Sequence, residues 1–191
     1  MTDIGNRYEI SSLTNDKIKL INSLHHRKYR REHNLFVAEG IRICREAVEN
    51  GWEIRYLLYD NLNADAQKIE NLISDVLCLG ADVIGVTSEI LSKISHKENS
   101  QNVLCVICQK WNDLPGIIKD KTFVALETVR DPGNLGTILR TMDGVGATDC
   151  ILLDHCTDPF SYESVRASMG AIFNVNIIAS STKIFLNGNQ N

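Results

Sequence analysis

The sequence predicts an α/β protein in two successive parts, and three observations predict it. Short apolar runs suited to strands alternate with longer stretches whose apolar residues recur at helical spacing. The alternation breaks once, between Trp111 and Asp120, where Pro115-Gly116 sits among polar residues and reads as a linker. Beyond the break, Thr122 to Ile178 follows the order βαβαβ, the opening of a parallel, doubly wound sheet. A length of 191 residues fits one domain or two small ones, so the expected division is 1–110, a linker 111–120, and 121–191.

Each element has its own warrant. Leu13 to Arg31 reads as one helix, capped by Thr14 or Asn15, with Ile18, Ile21 and Leu24 or His25 on a common face. Leu35 to Ala38 is a short strand. Ile41 to Glu49 is an amphipathic helix, with Ile41, Cys44, Ala47 and Val48 inward and Asn50-Gly51 as its stop. Ile54–Tyr59 is a strand, Asp65–Leu77 a helix and Val83–Val86 a strand. Thr87, with Glu89 nearby, caps a short helix ending at Ile94, and Val103–Cys108 is the last strand of the first part. In the second part Thr122–Glu127, Cys150–Leu153 and Phe173–Ile178 are strands, separated by helices at Gly133–Val145 and Ser161–Met169. Ser180-Ser181-Thr182 looks like the capped start of one more helix. Three parallel strands leave a sheet edge uncovered.

Composition narrows the functional classes. Hydrophobic residues make up 43% and charged residues 23%, so a packed core is expected and disorder is not. No apolar run is long enough for a membrane span, and Met1 to Ile10 holds no apolar signal core, so the expected location is the cytoplasm. The six cysteines are scattered among apolar residues and read as reduced thiols. Cys105 and Cys108 form a CxxC, but on a strand residues three apart face opposite ways, so no metal is expected there. The net charge of −4 argues weakly against general nucleic-acid affinity, yet the basic residues gather at His25-His26-Arg27-Lys28-Tyr29-Arg30-Arg31.

The segment richest in chemical content is Glu127-Thr-Val-Arg-Asp-Pro-Gly-Asn-Leu-Gly-Thr-Ile-Leu-Arg-Thr-Met142, a strand end, a Pro-Gly turn and a helix start. Asp131 or Asn134 can cap that helix, and its glycines permit close approach of the backbone. Arg140 lies about one and two-thirds turns beyond Asn134, so the two are not stacked on one face. Physics alone leaves two readings open: an ordinary βα turn with an exposed arginine, or an anion site at the helix start.

The string DPGNLGTILRT, followed by DPFSYESVRASMGAIF from Asp158 to Phe173, resembles the catalytic domain of SpoU-type RNA methyltransferases of the SPOUT superfamily. The first string resembles their motif 1, whose Asn and Arg match Asn134 and Arg140. The second resembles the helix and turn after the next strand, matching Arg166, Ser168 and Gly170. KYRREHNLFVAEGIRICREAVENG and VTSEILSKISHKENSQNVLCVICQ resemble the α/β/α substrate-binding domain that precedes it, related to an RNA-binding ribosomal-protein fold. The resemblance spans about Leu13 to Ile178. Such proteins carry two further motifs, a glutamate-containing glycine loop and an Asn–Ser segment, which thread a deep knot and form the S-adenosylmethionine pocket. Neither is in this sequence. The resemblance therefore implies a partial knotted domain, no assignable donor-binding residues, and a chain inactive as it stands.

What the resemblance implies for mechanism is S-adenosylmethionine-dependent 2′-O-methylation of ribose in ribosomal or transfer RNA, with homodimers and without metal. Alignment of the hydroxyl behind the methyl is the large contribution. Arg140 is the expected catalytic residue, holding a phosphate and stabilising the developing alkoxide rather than acting as a base, since guanidinium stays protonated. Asn134 shapes the turn. Glu127 either pairs with an arginine or stands in solvent. Arg27, Lys28, Tyr29, Arg30 and Arg31 are expected to contact structured RNA, ribosomal rather than transfer, with Arg42 and Arg45 extending the patch and Arg166 and Ser168 adding to it. Two other readings stay open: a non-catalytic RNA-binding remnant, and an α/β domain holding some other phosphate ligand.

Overall fold

The computed structural model describes residues 4–62, 66–96, 101–114 and 123–188. The chain divides into two compact units, Met1–Gln109 and Lys110–Asn191. Pro115-Gly116, the centre of the expected linker, lies outside the described residues.

The first unit is a mixed five-stranded sheet with helices packed on it. Its elements are β1 (Arg7–Ile10), α1 (Asp16–Ser23), α2 (Arg27–His33), β2 (Leu35–Glu39), α3 (Ile41–Glu49), β3 (Ile54–Asp60), α4 (Ala66–Cys78), β4 (Asp82–Val86), α5 (Ser88–Ser95) and β5 (Val103–Cys108). The strand order is β1-β4-β3-β5-β2. β5 lies antiparallel between β2 and β3, and its unbroken apolar run fits a strand buried on both faces. Cys105 is fully buried in it while Cys108, on the opposite face, is half-buried. Burial away from water pushes the Cys108 thiol up to about 11. Among the described residues no group of three or more His, Cys, Asp or Glu side chains is arranged to hold a metal.

Two features of this unit differ from the sequence reading. β1 forms from Arg7-Tyr-Glu-Ile, a segment too polar to read as a strand, because β4 offers it a parallel edge from Arg7↔Val83 to Ile10↔Val86. The helix expected over Leu13–Arg31 is two helices, α1 and α2, separated at Leu24–His26. Asn15 caps α1, its side chain accepting from Lys17 N at 2.9 Å. The break persists because Arg30 turns inward, 4% exposed, and its guanidinium donates to Leu24 O at 2.8 Å and His25 O at 2.7 Å. Those carbonyls, left without helical partners by the break, would otherwise cost free energy.

The second unit contains β6 (Phe123–Glu127), α6 (Pro132–Gly144), β7 (Asp149–Leu153), α7 (Tyr162–Ser168), a 3-10 turn at Ala171–Phe173, β8 (Asn176–Ser180) and α8 (Thr182–Gly188). The described strands form a parallel sheet in the order β6-β7-β8, running from Phe123↔Asp149 to Glu127↔Leu153 and from Asp149↔Asn176 to Leu153↔Ser180. Phe173, expected to begin the last strand, is buried in the 3-10 turn instead. Apolar content alone cannot separate a short buried turn from a strand. Trp111 and Asn112, read as the start of the linker, pack in this unit. The Trp111 ring meets Phe160 edge-on at 5.0 Å, and Asn112 N donates to Ile177 O at 2.9 Å.

Candidate functional site

The turn after β6 is built by local chemistry. β6 ends at Glu127, and Thr128 then adopts a left-handed conformation at φ 57°. Asp131 caps α6: its Oδ1 accepts from Asn134 N at 2.7 Å, and Pro132 takes the first helical position, where no N–H is needed. Because Asp131 is the cap, the Asn134 side chain is not used for that purpose. Thr128, Val129, Arg130, Asp131, Asn134, Thr137 and Ile138 line an open cleft of about 560 Å³. Of these, Arg130 and Thr137 were not singled out from the sequence. The signal was available, since Arg130 precedes the N-cap and Thr137 lies about one turn beyond Asn134 on the same face of α6.

Gly136 sets how α6 docks. A Cβ there would stand 2.4 Å from Ala167 Cβ and 2.8 Å from Ser168 N. α6 and α7 therefore approach backbone to backbone, with Leu135, Leu139 and Met142 inward. Ser168 belongs to this contact. It is fully buried, and its hydroxyl donates to Val165 O at 2.7 Å, so it is not presented to RNA. Arg166 is exposed in the last turn of α7.

Arg140 lies on the solvent side of α6, outside the cleft lining, and forms no hydrogen bond or ion pair with a described residue. Glu127 makes no ion pair with an arginine among the described residues. Among the described residues its hydrogen-bond neighbour is the Thr182 hydroxyl at 3.4 Å. That hydroxyl donates to Asp154 Oδ2 at 2.5 Å, while Thr182 N donates to Asp154 Oδ1 at 3.2 Å. The two bonds hold the exposed Asp154 carboxyl below its ordinary range. Asp154 thus serves the first turn of α8. Cys150 is buried in β7, and desolvation pushes its thiol up to about 12, so it is no nucleophile.

The first unit divides its basic cluster. Arg27, Lys28 and Arg31 are exposed, and Lys28 Nζ stands 5.5 Å over the half-buried Tyr29 ring. Arg30 is withdrawn to the α1–α2 break, which removes its guanidinium from the surface patch. On α3, Arg42 is exposed and Arg45 donates to Lys68 O at 2.9 Å. Both arginines line a cavity of about 380 Å³ with Lys68, Glu46 and Glu49.

Residues 15–105 match the MRM3-like substrate binding domain, and residues 121–191 match the SpoU rRNA methylase family. An rRNA methyltransferase from Sinorhizobium meliloti, known by crystal structure, is 37% identical, with a TM-score of 0.88 over 97% of this chain and 70% of that one. The chain belongs to the SpoU rRNA methylase family. The Sinorhizobium protein is also known with AdoMet bound, as is the SpoU methyltransferase AviRb from Streptomyces viridochromogenes, which is 26% identical with a TM-score of 0.81 over 91% of this chain and 66% of that one. Among curated relatives, the 23S rRNA (uridine(2479)-2′-O)-methyltransferase of Streptomyces viridochromogenes is 31% identical over 143 residues, covering 73% of this chain and 49% of the relative. The 23S rRNA (guanosine(2553)-2′-O)-methyltransferase RlmP of Bacillus subtilis is 27% identical over 170 residues, covering 89% and 64%. The chain thus spans about half to two-thirds of these two curated relatives.

The cleft over α6 is open to solvent. No described helix is long and apolar enough to cross a membrane.

Proposed function

We propose that this chain supplies the RNA-holding unit and the substrate-facing turn of an S-adenosylmethionine-dependent ribose 2′-O-methyltransferase acting on ribosomal RNA in the cytoplasm as a homodimer. The observation that carries the reading is the DPGN segment. It folds as a capped strand–turn–helix at the C-terminal end of a parallel strand, the edge where such sheets bind ligands, within a chain whose two family matches keep the order substrate domain, then methylase domain. The donor supplies an electrophilic methyl on sulfur when bound. The chain's own residues hold and orient the RNA. Arg27, Lys28 and Arg31 meet phosphates, Tyr29 offers a ring for an unpaired base, and Arg42 and Arg166 add contacts. Asn134 and Arg140 act at the target ribose, where Arg140 stabilises charge developing on oxygen.

The test combines binding with transfer. Affinity for a 23S rRNA fragment should exceed that for a transfer RNA transcript. Replacing Arg27, Lys28 and Arg31 together by Ala should reduce the salt slope of binding by roughly 2–3, which is about 0.7–0.9 per lost phosphate contact. Where radiolabelled methyl is transferred, the label should sit on a ribose 2′-oxygen, read as an alkali-resistant linkage, and Arg140→Ala should abolish it. Binding without transfer assigns this chain the RNA-holding role alone. Label on a base, or affinity unmoved by the triple substitution, overturns the reading.

A further inference from the structure

Beside Asn134, the cleft at α6 holds two polar side chains that the reaction class leaves unassigned, Arg130 and Thr137. Arg130 is exposed and lines the cleft, and its guanidinium bonds to no described residue, so its donors are uncommitted among the described residues. The Asp131 carboxylate, the one anion in the lining, is engaged as the helix cap through Oδ1. Thr137 spends its hydroxyl proton on Gly133 O at 2.9 Å, so toward a ligand its oxygen can only accept. The Asn134 side chain retains both an amide donor and a carbonyl acceptor, bonded to no described residue.

We infer that this cleft takes one ribose phosphate of single-stranded RNA, with Arg130 as a positioning residue on the phosphate, the Asn134 amide donating to the same phosphate, and Thr137 accepting from the ribose hydroxyl. The inference rests on the RNA-methyltransferase reading and names the residues that place the nucleotide. A cation beside an amide and an acceptor-only hydroxyl matches a phosphate flanked by a hydroxyl. It does not match a bare base, which would need an aromatic or flat apolar wall. It also separates two arginines by task. Arg130 borders the cleft, whereas Arg140 stands outside its lining, so removing Arg130 should affect how RNA is held rather than what happens to charge in the reaction.

The probe is a five-nucleotide single-stranded RNA and its all-deoxy counterpart, titrated into the full ¹⁵N-labelled chain. The ribo-oligonucleotide should shift the Gly133, Asn134 and Thr137 amides, and the deoxy form should bind about three- to tenfold more weakly, the size of one hydrogen bond. Arg130→Gln should lower the salt slope by about 0.7, the single-strand value for one phosphate, while Arg130→Lys keeps it. Arg130 is exposed, and an unchanged melting temperature for each variant shows that the fold is intact. Equal affinity for the two oligonucleotides, amide shifts elsewhere, or an unchanged slope in Arg130→Gln overturns the inference. The two failures are separable: a chain that takes the oligonucleotide in this cleft but ignores the 23S rRNA fragment refutes the ribosomal reading and leaves the cleft assignment standing.

Discussion

The basic helix of the first unit and the capped turn of the second present side chains in opposite ways. In α2 four basic residues cluster around Tyr29, and the fold splits them. Arg27, Lys28 and Arg31 face solvent while Arg30 closes the end of α1. In the β6–α6 turn the polar residues are dispersed, and the fold gathers Arg130, Asn134 and Thr137 around one cleft. A helix rotates about 100° per residue, so consecutive charges cannot all share a face, and one of them is bound to meet the body of the domain. Spaced residues at a helix start can share a face.

The largest test of that contrast is within α2. Arg30→Ala removes the guanidinium donor to the carbonyls of Leu24 and His25 and should cost about 2–3 kcal/mol in urea unfolding, the loss expected for bonds to a charged group. Arg31→Ala, on the exposed side, should change stability by no more than about 0.5 kcal/mol. Equal effects would show that both arginines face solvent and that the α1–α2 break needs no internal donor.

The second test is in α6, where one glycine is packed against α7 and another, at the helix end, is not. Gly136→Ala drives a methyl into Ala167 and should cost about 1–3 kcal/mol, whereas a Cβ at Gly144 meets nothing within 4 Å. Gly144→Ala should instead be neutral or gain about 0.4–1 kcal/mol by restricting the unfolded chain. A thermal melt of the pair reads both. A tolerated Gly136→Ala would mean that α6 and α7 are not in close contact, and that the turn beside the cleft is less firmly held than α2.

The smallest effect concerns acid. The Asp154 carboxyl is held below its ordinary value by the Thr182 hydroxyl and amide. Its contribution is present above the unfolded value of about 4 and is lost as pH falls through the lower folded value. Asp154 is fully exposed, so the effect is small. Asp154→Asn should flatten the acid limb of stability slightly below pH 4 and leave neutral stability almost unchanged. A loss at pH 7 as large as that of Arg30→Ala would mean that Asp154 does more than hold the first turn of α8.

Much of this was legible in the residues. The α/β class and most elements could be read because apolar periodicity and turn residues act over short distances. α3 is bounded by Gly40 and Asn50, and Thr87 caps α5 through Ile90 N. β1 was not legible, because its strand character comes from the β4 edge rather than from its own residues. The α1–α2 break was hidden because the apolar spacing of Leu13 to Arg31 reads as one helix, while the interruption is stabilised by contacts such as the buried Arg30 guanidinium. Phe173 misled for the same reason, since an apolar residue in a buried turn resembles one in a strand.

By itself the sequence determined the two-part α/β order, the short list of candidate caps and the family, because each depends on neighbouring residues or on motif strings. Only the tertiary structure decided which side chains of those motifs are available. It withdrew Arg30 and Ser168 into packing, set Arg140 outside the cleft and put Arg130 and Thr137 in its lining. The reason is physical: side-chain exposure depends on what packs against each face, and that is set by residues far away in the chain.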